Sequence, residues 1–285
     1  MPCHSCLDRK QRGSSRSVDL LKMSEWSTFL LVTLLMLVAA GPASAQTADR
    51  ADIKASPTLK PLLIEVDSLR RAGAYTEALS RVMSLQEQHP GDVEVLYRVA
   101  MTRVDLGEAA DSDRRRASMY SQALKAAQAA VEADPEHAFA HLSLAIAEGR
   151  VALSAGTKEK IQRSRAVKQH ADRAIELDPD LSSAYHVRAR WNREVADLGF
   201  FSRTIVRTVY GGLPEASFEQ SVKDFKTAIE KEDRIVHHLE LARTYEKMDR
   251  EDDARNELEL LLTMENDDPD APKQKQEARE MLDDL

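Results

Sequence analysis

Residues 73–90 read GAYTEALSRVMSLQEQHP, and this stretch decides the fold because its pattern returns along the chain. Ala78, Val82 and Leu85 follow one another at spacings of four and three residues, which places them on one face of an α-helix. Pro90 ends that helix, since proline cannot donate the backbone hydrogen bond that would continue it. The stretch therefore predicts an amphipathic helix with a defined end.

A second apolar face precedes this helix. Leu62, Val66 and Leu69 lie at positions i, i+4 and i+7, as on the buried side of another helix. Tetratricopeptide repeats pair two such helices in about 34 residues, with small residues where the helices touch. The two segments together therefore predict one tetratricopeptide-like helix pair.

The helix end at His89-Pro90 recurs at Asp134-Pro135 and Asp178-Pro179, at intervals of 45 and 44 residues. These intervals exceed the usual repeat length by about ten residues. The remaining landmarks, such as Gly107 and Tyr120, fit when the extra residues lie between the two helices of a repeat. We therefore expect the extra residues to extend both helices of these repeats.

A long insertion interrupts the fourth repeat within His186–Ala228, which reads HVRARWNREVADLGFFSRTIVRTVYGGLPEASFEQSVKDFKTA. Tyr185–Asp197 and Phe218–Ala228 have the patterns of its two helices, about twenty residues apart. Within the insertion, Phe200–Tyr210 has apolar residues at i, i+4 and i+8, so it predicts an amphipathic helix. We expect this helix to cover the groove or the neighbouring repeat, and contact with a membrane surface is the alternative.

The last part of the chain contains a fifth repeat and one further helix. The fifth repeat has Asp249 where such repeats usually have glycine. Pro272–Leu285 places apolar residues on one face and charges on the other, as expected of a helix that caps a repeat array. The sequence thus predicts an all-α fold over residues 59–285: an α-solenoid of about five tetratricopeptide-like helix pairs with lengthened helices and a C-terminal capping helix.

The residues before this array have the features of export and linker sequence. Phe29–Ala40 is apolar but shorter than the roughly 20 residues that span a bilayer. Ala43-Ser44-Ala45 is a small-residue cleavage site, so residues 23–45 predict a signal peptide that is cut after Ala45. We expect a periplasmic or secreted protein, and an uncleaved membrane anchor is the alternative. Residues 1–22 are interpreted as a mis-started or disordered extension, and residues 46–58 as a linker.

Several motifs in the third repeat, the fourth repeat and the last helix resemble one protein family. They are Lys168-Gln169-His170, the AIELDP of Ala174–Pro179, Arg190-Trp191 with Glu194-Val195, Leu213-Pro214-x-Ala216-Ser217, Phe225-x-x-Ala228 and the helix Lys275–Leu285. On these motifs, residues 59–285 are similar to the regulator of microtubule dynamics family. The resemblance implies an interaction protein, since eukaryotic members associate with microtubules, spindle poles and mitochondrial or endoplasmic-reticulum membranes. It adds a cytoplasmic or spindle location as an alternative, whereas an exported relative would keep the scaffold and change the partner.

Reactive residue types are scattered rather than clustered. Cys3 and Cys6 are the only cysteines, and they lack the second ligand pair that a zinc site requires. His137 and His141 lie one helical turn apart, without the glutamate of a metalloprotease helix. We therefore expect a non-enzymatic protein with no catalytic residue, metal or cofactor, and an enzyme is the most distant alternative. The 48 acidic residues against 40 basic ones, with a net charge of −8, argue against a nucleic acid partner.

The candidate site is a groove lined by the first helix of each repeat, which faces the concave side of such arrays. Arg190 and Arg193 lie on one helix face, and guanidinium groups suit carboxylates. We therefore predict a protein or peptide partner with acidic or carboxylate groups. The alternative is that the arginines form structural ion pairs with Glu194, Glu240 and Glu246. The predicted partner-binding residues are Tyr97, Met101, Phe139, Leu142, His186, Arg190, Arg193 and Arg243.

Overall fold

Twelve α-helices and no strand occur within the residues that the structure describes, which are 59–266 and 268–285 of a computed structural model. The predictions for residues 1–58, including the extension, the signal peptide cut at Ala45 and the linker, lie outside this part of the chain. None of the described helices is long and apolar enough to cross a membrane. The helices are α1 (Leu59–Arg71), α2 (Tyr75–Gln88), α3 (Val93–Glu108), α4 (Asp113–Ala133), α5 (Ala138–Ala152), α6 (Thr157–Leu177), α7 (Ser182–Ala196), α8 (Phe200–Tyr210), α9 (Phe218–Lys231), α10 (Ile235–Glu246), α11 (Glu251–Thr263) and α12 (Ala271–Asp284).

Ten of these helices pack as five consecutive pairs: α1 with α2, α3 with α4, α5 with α6, α7 with α9, and α10 with α11. Each first helix also contacts the next first helix, whereas no second helix contacts the next second helix within the described chain. Helices on the inner side of a curved array lie closer together than those on its outer side. We therefore call α1, α3, α5, α7 and α10 the inner layer. The predicted all-α solenoid is confirmed.

The helix ends and lengths follow the sequence pattern. The residues just after α2, α4 and α6 are His89, Asp134 and Asp178, each directly before proline, and each donates its backbone N–H to the last turn of its helix. The long repeat intervals appear as longer helices, because α4 and α6 have 21 residues each whereas α2 and α9 have 14. The lengthened helices are therefore confirmed, chiefly in the second helix of each pair.

The insertion of the fourth repeat forms α8, which packs against α6 of the neighbouring repeat. Arg165 of α6 holds the end of α8, because its guanidinium donates to the main-chain oxygens of Tyr210 and Gly212, the latter at 3.0 Å from Nε. Gly211 ends the helix with a φ of 77°, a backbone conformation that favours glycine. The predicted apolar face includes Phe201 and Ile205, whose side chains are outside the described part of the structure.

The turn before α11 shows why glycine is usual in this position of the repeat. Asp249 has a φ of 54°, and Gly73 at the matching turn of the first repeat has a φ of 75°. L-residues rarely adopt this left-handed conformation, and aspartate is among the few that tolerate it.

At the other end of this repeat, α12 packs on α10 and α11 with Ala278 fully buried, so the predicted capping helix is confirmed.

Small residues allow the paired helices to approach closely. Gly107 of α3 faces the ring of Tyr120 on α4, and a Cβ placed on Gly107 would lie 2.4 Å from Cε1 of that ring. Gly149 occupies an inner-layer helix in the same way, but a Cβ there would meet only Cγ2 of Val167, at 3.7 Å. The first contact is a steric overlap and the second is an ordinary van der Waals contact.

We predict that Gly107→Ala lowers the free energy of unfolding by about 1–2 kcal/mol. Overlap with the buried Tyr120 ring costs about 1–3 kcal/mol, and the helix propensity of alanine returns at most about 1 kcal/mol. Gly149→Ala is the matched control, because it gains the same propensity without the overlap and should leave stability equal or higher. Urea denaturation of both variants measures the difference. Equal effects of the two substitutions would contradict the packing described for α3 and α4.

Candidate functional site

The inner layer of the last two full repeats converges on one carboxylate. Glu240 of α10 is 4% exposed, and three arginines surround it. Arg190 and Arg193 come from α7, and Arg243 lies one turn further along α10. The site therefore joins two neighbouring repeats through charge.

The three arginines hold Glu240 unequally. Nη2 of Arg193 lies 2.6 Å from Oε2 of Glu240, and its Nη1 donates to the Glu240 main-chain oxygen at 3.0 Å. Arg243 pairs with Oε1 of Glu240 and with Glu277 of α12. Arg190 approaches only to 3.7 Å, through Nε. No N–H of the described residues is aligned for a hydrogen bond to the buried Oε2, so its attraction to Arg193 and Arg190 is ionic.

The charges of this cluster shift the pKa values of its members. Burial alone would raise the pKa of Glu240, but Arg190, Arg193 and Arg243 outweigh burial and lower it to about 2. Glu240 is therefore ionised throughout the physiological range. The pKa of Arg190 is lowered from its usual value by desolvation, against the opposing attraction of Glu240, and the nearby charge of Arg150 lowers it further.

Arg190 differs from its neighbours in its exposure. Its side chain is 40% exposed, whereas that of Arg193 is 7% exposed. Arg150 of α5, which the sequence pattern did not single out, approaches from the preceding inner-layer helix. It pairs with Glu108 of α3, and its Nε is buried without a hydrogen-bond partner. The groove thus contains two guanidinium groups, those of Arg150 and Arg190, whose hydrogen-bonding capacity is only partly used.

His186 lies one helical turn before Arg190 and joins α7 to α10. Its Nδ1 is 2.9 Å from Nδ1 of His237, so one ring donates the proton and the other accepts it. The edge of the His186 ring packs on Phe225, with the ring centroids 5.5 Å apart. Burial and the neighbouring His237 hold the pKa of His186 well below its ordinary value. The pair is therefore neutral near pH 7 and has a structural role at the base of the groove.

An aromatic group occupies the other end of the inner layer, at the beginning of α3 and α5. The rings of Tyr97 and Phe139 stack with centroids 5.3 Å apart, and His137 stacks on Tyr97 at 5.5 Å. Glu94 accepts hydrogen bonds from the Tyr97 hydroxyl at 3.2 Å and from Arg98 at 2.6 Å. Phe139 is 41% exposed, which makes it one of the few large apolar side chains that the described surface presents.

The predicted partner-binding residues therefore fall into two groups. Tyr97, Leu142 and Arg193 are buried, at 7%, 4% and 6% exposure, so they support the groove from below. Phe139 is exposed, whereas the others are partly buried at the groove: Met101, His186, Arg190 and Arg243.

The alternative of structural ion pairs holds for part of the cluster. Arg193 pairs with both Glu240 and Glu194, as that alternative expects. Glu246 is exposed, and Arg243 pairs with Glu277 instead. The sequence pattern did not indicate Glu277, which lies on the capping helix 34 residues beyond Arg243, or the pairing of His237 with His186 across two repeats. Arg150 lies eight residues, about two turns of α5, beyond Leu142, the last predicted groove residue of that helix.

Three further histidines, His137, His141 and His170, have structural partners. His137 accepts from the N–H of Ala140 as the cap of α5, and Nδ1 of His141 lies 2.9 Å from Nδ1 of His170. In the described part of the chain, no three His, Cys, Asp or Glu side chains are placed to hold a metal ion. Trp191 is 5% exposed and donates to the main-chain oxygen of Ser164 at 2.7 Å, so it belongs to the core.

The insertion also borders an open cavity of about 690 Å³ beside α7. At its base, the amides of Asn192 and Gln220 donate to Asp224, at 3.3 and 2.8 Å. Asp224 is 1% exposed and also pairs with Arg188 at 2.7 Å. Its oxygens are therefore occupied by structural partners. The apolar walls of the cavity come from Val195, Leu198, Val206, Leu213, Pro214 and Ala216.

We predict that the adjacent histidines His237 and His238 titrate at well separated pH values. Burial and the charge of Arg234 lower the pKa of His237 to about 4. Burial would also lower that of His238, but hydrogen bonds with Glu257 at 2.6 Å and Asp233 at 2.7 Å raise it above the ordinary value of 6.5. An NMR titration of the imidazole Cε1–H signals should therefore show His238 titrating above pH 6.5 and His237 near pH 4.

The two shifts act on stability with opposite signs. His237 binds a proton more readily when unfolded, so its contribution is lost as the pH falls from 6.5 towards 4, by at most about 1.4 kcal/mol per pH unit. His238 binds its proton more readily when folded, so its contribution is complete below pH 6.5 and is lost as the pH rises through its raised pKa. His238→Gln should remove the second effect and keep most of the first, because burial and Arg234 are the main causes of the low pKa of His237. Titration of both rings together near pH 6.5 would contradict these buried contacts.

Comparison with known proteins agrees with this architecture. A structure of a tetratricopeptide-repeat protein from Thermus thermophilus aligns with a TM-score of 0.58 at 19% identity, covering 77% of this chain and 98% of that chain. At this level of identity the likeness concerns the fold alone. It agrees with the helix pairs and the inner layer described above.

Sequence relatives are found over most of the repeat array. Regulator of microtubule dynamics protein 1 of Mus musculus is 26% identical over 199 residues, which cover 69% of this chain and 65% of the mouse protein. Regulator of microtubule dynamics protein 3 of Rattus norvegicus is 24% identical over 235 residues, which cover 81% of this chain and 50% of the rat protein. The chain thus spans between half and two thirds of the length of these relatives. The family described as regulator of microtubule dynamics protein 1-3 matches residues 62–285. The chain belongs to this family.

Proposed function

We propose that this protein is a non-enzymatic helical-repeat scaffold that binds an acidic segment of a protein partner along its inner layer. The observation that carries the proposal is the state of Arg190. Its side chain is 40% exposed, and its Nε lies 3.7 Å from a carboxylate that two other arginines already hold more closely. A guanidinium in this position keeps donors for an external carboxylate.

The surrounding groups favour a carboxylate over other ligands. A guanidinium presents its N–H groups in a planar fork that matches the two oxygens of a carboxylate. Arg190 is partly desolvated, and attraction to an anion is stronger there than in open water. The neighbouring Arg193 is paired with Glu240 at 2.6 Å. Arg190 is therefore the arginine of α7 that would bind the carboxylate of a ligand.

Regulation of microtubules is the second candidate function, and family membership is the observation that favours it. The relatives from Mus musculus and Rattus norvegicus are named as regulators of microtubule dynamics. Co-sedimentation of the purified chain with taxane-stabilised microtubules tests this candidate directly. Recovery in the pellet that saturates with microtubule concentration would favour it, and recovery equal to a tube without microtubules would exclude direct binding.

The proposed domain organisation places the scaffold outside the cytoplasm. Residues 23–45 would be removed, and the mature protein would begin at Gln46 with a linker before the repeats that start at residue 59. Fractionation followed by N-terminal sequencing tests this part of the proposal. A cytosolic protein that retains residues 23–45 would contradict it.

We predict that Arg190→Met reduces partner recovery about tenfold in an affinity pull-down with quantitative mass spectrometry. The substitution keeps the apolar stem and removes the guanidinium, while Arg193 and Arg243 continue to neutralise Glu240. Arg173→Met is the matched control, because Arg173 lies on the outer helix α6 and pairs with Glu136 and Glu176.

Circular dichroism should show the same helicity and a similar melting temperature for both variants. Arg193→Met is unsuitable as a probe, because it would leave Glu240 buried with a weaker partner. Equal recovery of the same partners by the wild type and Arg190→Met would contradict the groove proposal.

A further inference from the structure

We propose that the partner segment binds at two points, with an apolar side chain on Phe139 and, about four residues away, a carboxylate between Arg150 and Arg190. This inference rests on the proposed function, because it specifies the segment that the scaffold binds. It also adds Arg150 to the binding site. The occupant is therefore a peptide segment that combines one apolar and one acidic side chain at a fixed separation.

The aromatic end offers a rigid apolar surface. The Phe139 ring stacks on Tyr97 with an angle of 19° between the ring planes, while Arg98 lies 4.5 Å from the centre of the Tyr97 ring. Arg98 is in turn paired with Glu94 and Asp67, at 2.6 and 2.8 Å. Phe139 is thus supported from below but 41% exposed, so an apolar side chain can remove it from water without rearranging the groove.

The cationic end has two incompletely satisfied guanidinium groups from neighbouring inner-layer helices, α5 and α7. Arg150 has one carboxylate partner, Glu108, and a buried Nε without a hydrogen-bond acceptor. Among the described residues, Arg190 makes one ion-pair contact, at 3.7 Å with Glu240. Desolvation is the main cause of the lowered pKa of Arg190, and repulsion by the nearby charge of Arg150 lowers it further. A carboxylate between them would relieve the repulsion and accept from both guanidinium groups.

The positions along the helices set the separation of the two points. Phe139 and Arg150 lie eleven residues apart on α5, which is about 16 Å along the helix axis. Arg190 is the ninth residue of α7 and corresponds to Ile146, the ninth of α5, about 10 Å from Phe139 along the axis. Along the helix axis, the midpoint between the two arginine positions is therefore about 13 Å from Phe139. An extended peptide rises about 3.3 Å per residue, so about four residues separate the apolar and acidic side chains.

Fluorescence anisotropy with the full chain and labelled peptides tests the separation. The peptides have twelve residues, amidated C-termini and one Phe and one Asp in a serine and glycine background. In the series, Asp follows Phe by one, four or eight residues. We expect the four-residue peptide to bind at least about tenfold more tightly than the other two, and an Asp→Asn version to lose about the same factor.

Variants of the protein test the two points separately. Phe139→Ser and Arg150→Met should each weaken binding of the four-residue peptide about tenfold, whereas Arg173→Met should bind it as the wild type does. Thermal melts establish that each variant is folded, and the peptide series with the wild type does not depend on any variant.

Equal affinity across the peptide series, or no binding by any member, would overturn the inference. Wild-type affinity of folded Phe139→Ser and Arg150→Met would also overturn it. These failures are distinct from failure of the proposed function. If Arg190→Met loses its cellular partners while the peptide series shows no optimum, the scaffold proposal stands and the two-point inference falls.

Discussion

A buried carboxylate that must not remain unpaired fixes the C-terminal half of the repeat array. Glu240 is 4% exposed, and an isolated charge at such a site would cost several kcal/mol. Arg193 and Arg190 reach it from α7, so the fourth repeat is tied to the fifth. Arg243 extends the connection to Glu277 on the capping helix α12. One charge cluster therefore links three successive structural units, which also share one apolar core.

The pairing of Glu240 also divides the arginines of α7 into one that supports the fold and one that is available to a partner. Arg193 is 7% exposed and lies close to Glu240, so its charge is used by the fold, and the neutral His186–His237 pair joins the same two helices. Arg190 is more exposed and more distant from Glu240. The cluster thus fixes the position of the Arg190 guanidinium while leaving some of its N–H donors for a ligand. Preorganisation of this kind lowers the entropic cost of binding a partner.

The sequence predicted those features that depend on local or periodic patterns. Proline after His89, Asp134 and Asp178 determined the helix ends, and the apolar spacing of Phe200–Tyr210 gave α8 its observed bounds. Asp249 was recognised as an exception, and its backbone adopts the left-handed conformation. The site was less predictable, because burial depends on how the next repeat packs. Arg193 occupies a groove position by periodicity but becomes buried beside α10, and Glu277 lies 34 residues beyond its partner Arg243.

A double-mutant cycle on Glu240 tests the division between supporting and available arginines most directly. The free energy of unfolding is measured for Glu240→Gln, Arg193→Met, Arg190→Met and the two double variants. We predict a coupling energy of about 2–4 kcal/mol between Glu240 and Arg193, because both side chains are buried. The coupling between Glu240 and the 40% exposed Arg190 should be below about 1 kcal/mol. Equal coupling energies for the two arginines would show that Arg190 is a structural ion pair, and would contradict its assignment to partner binding.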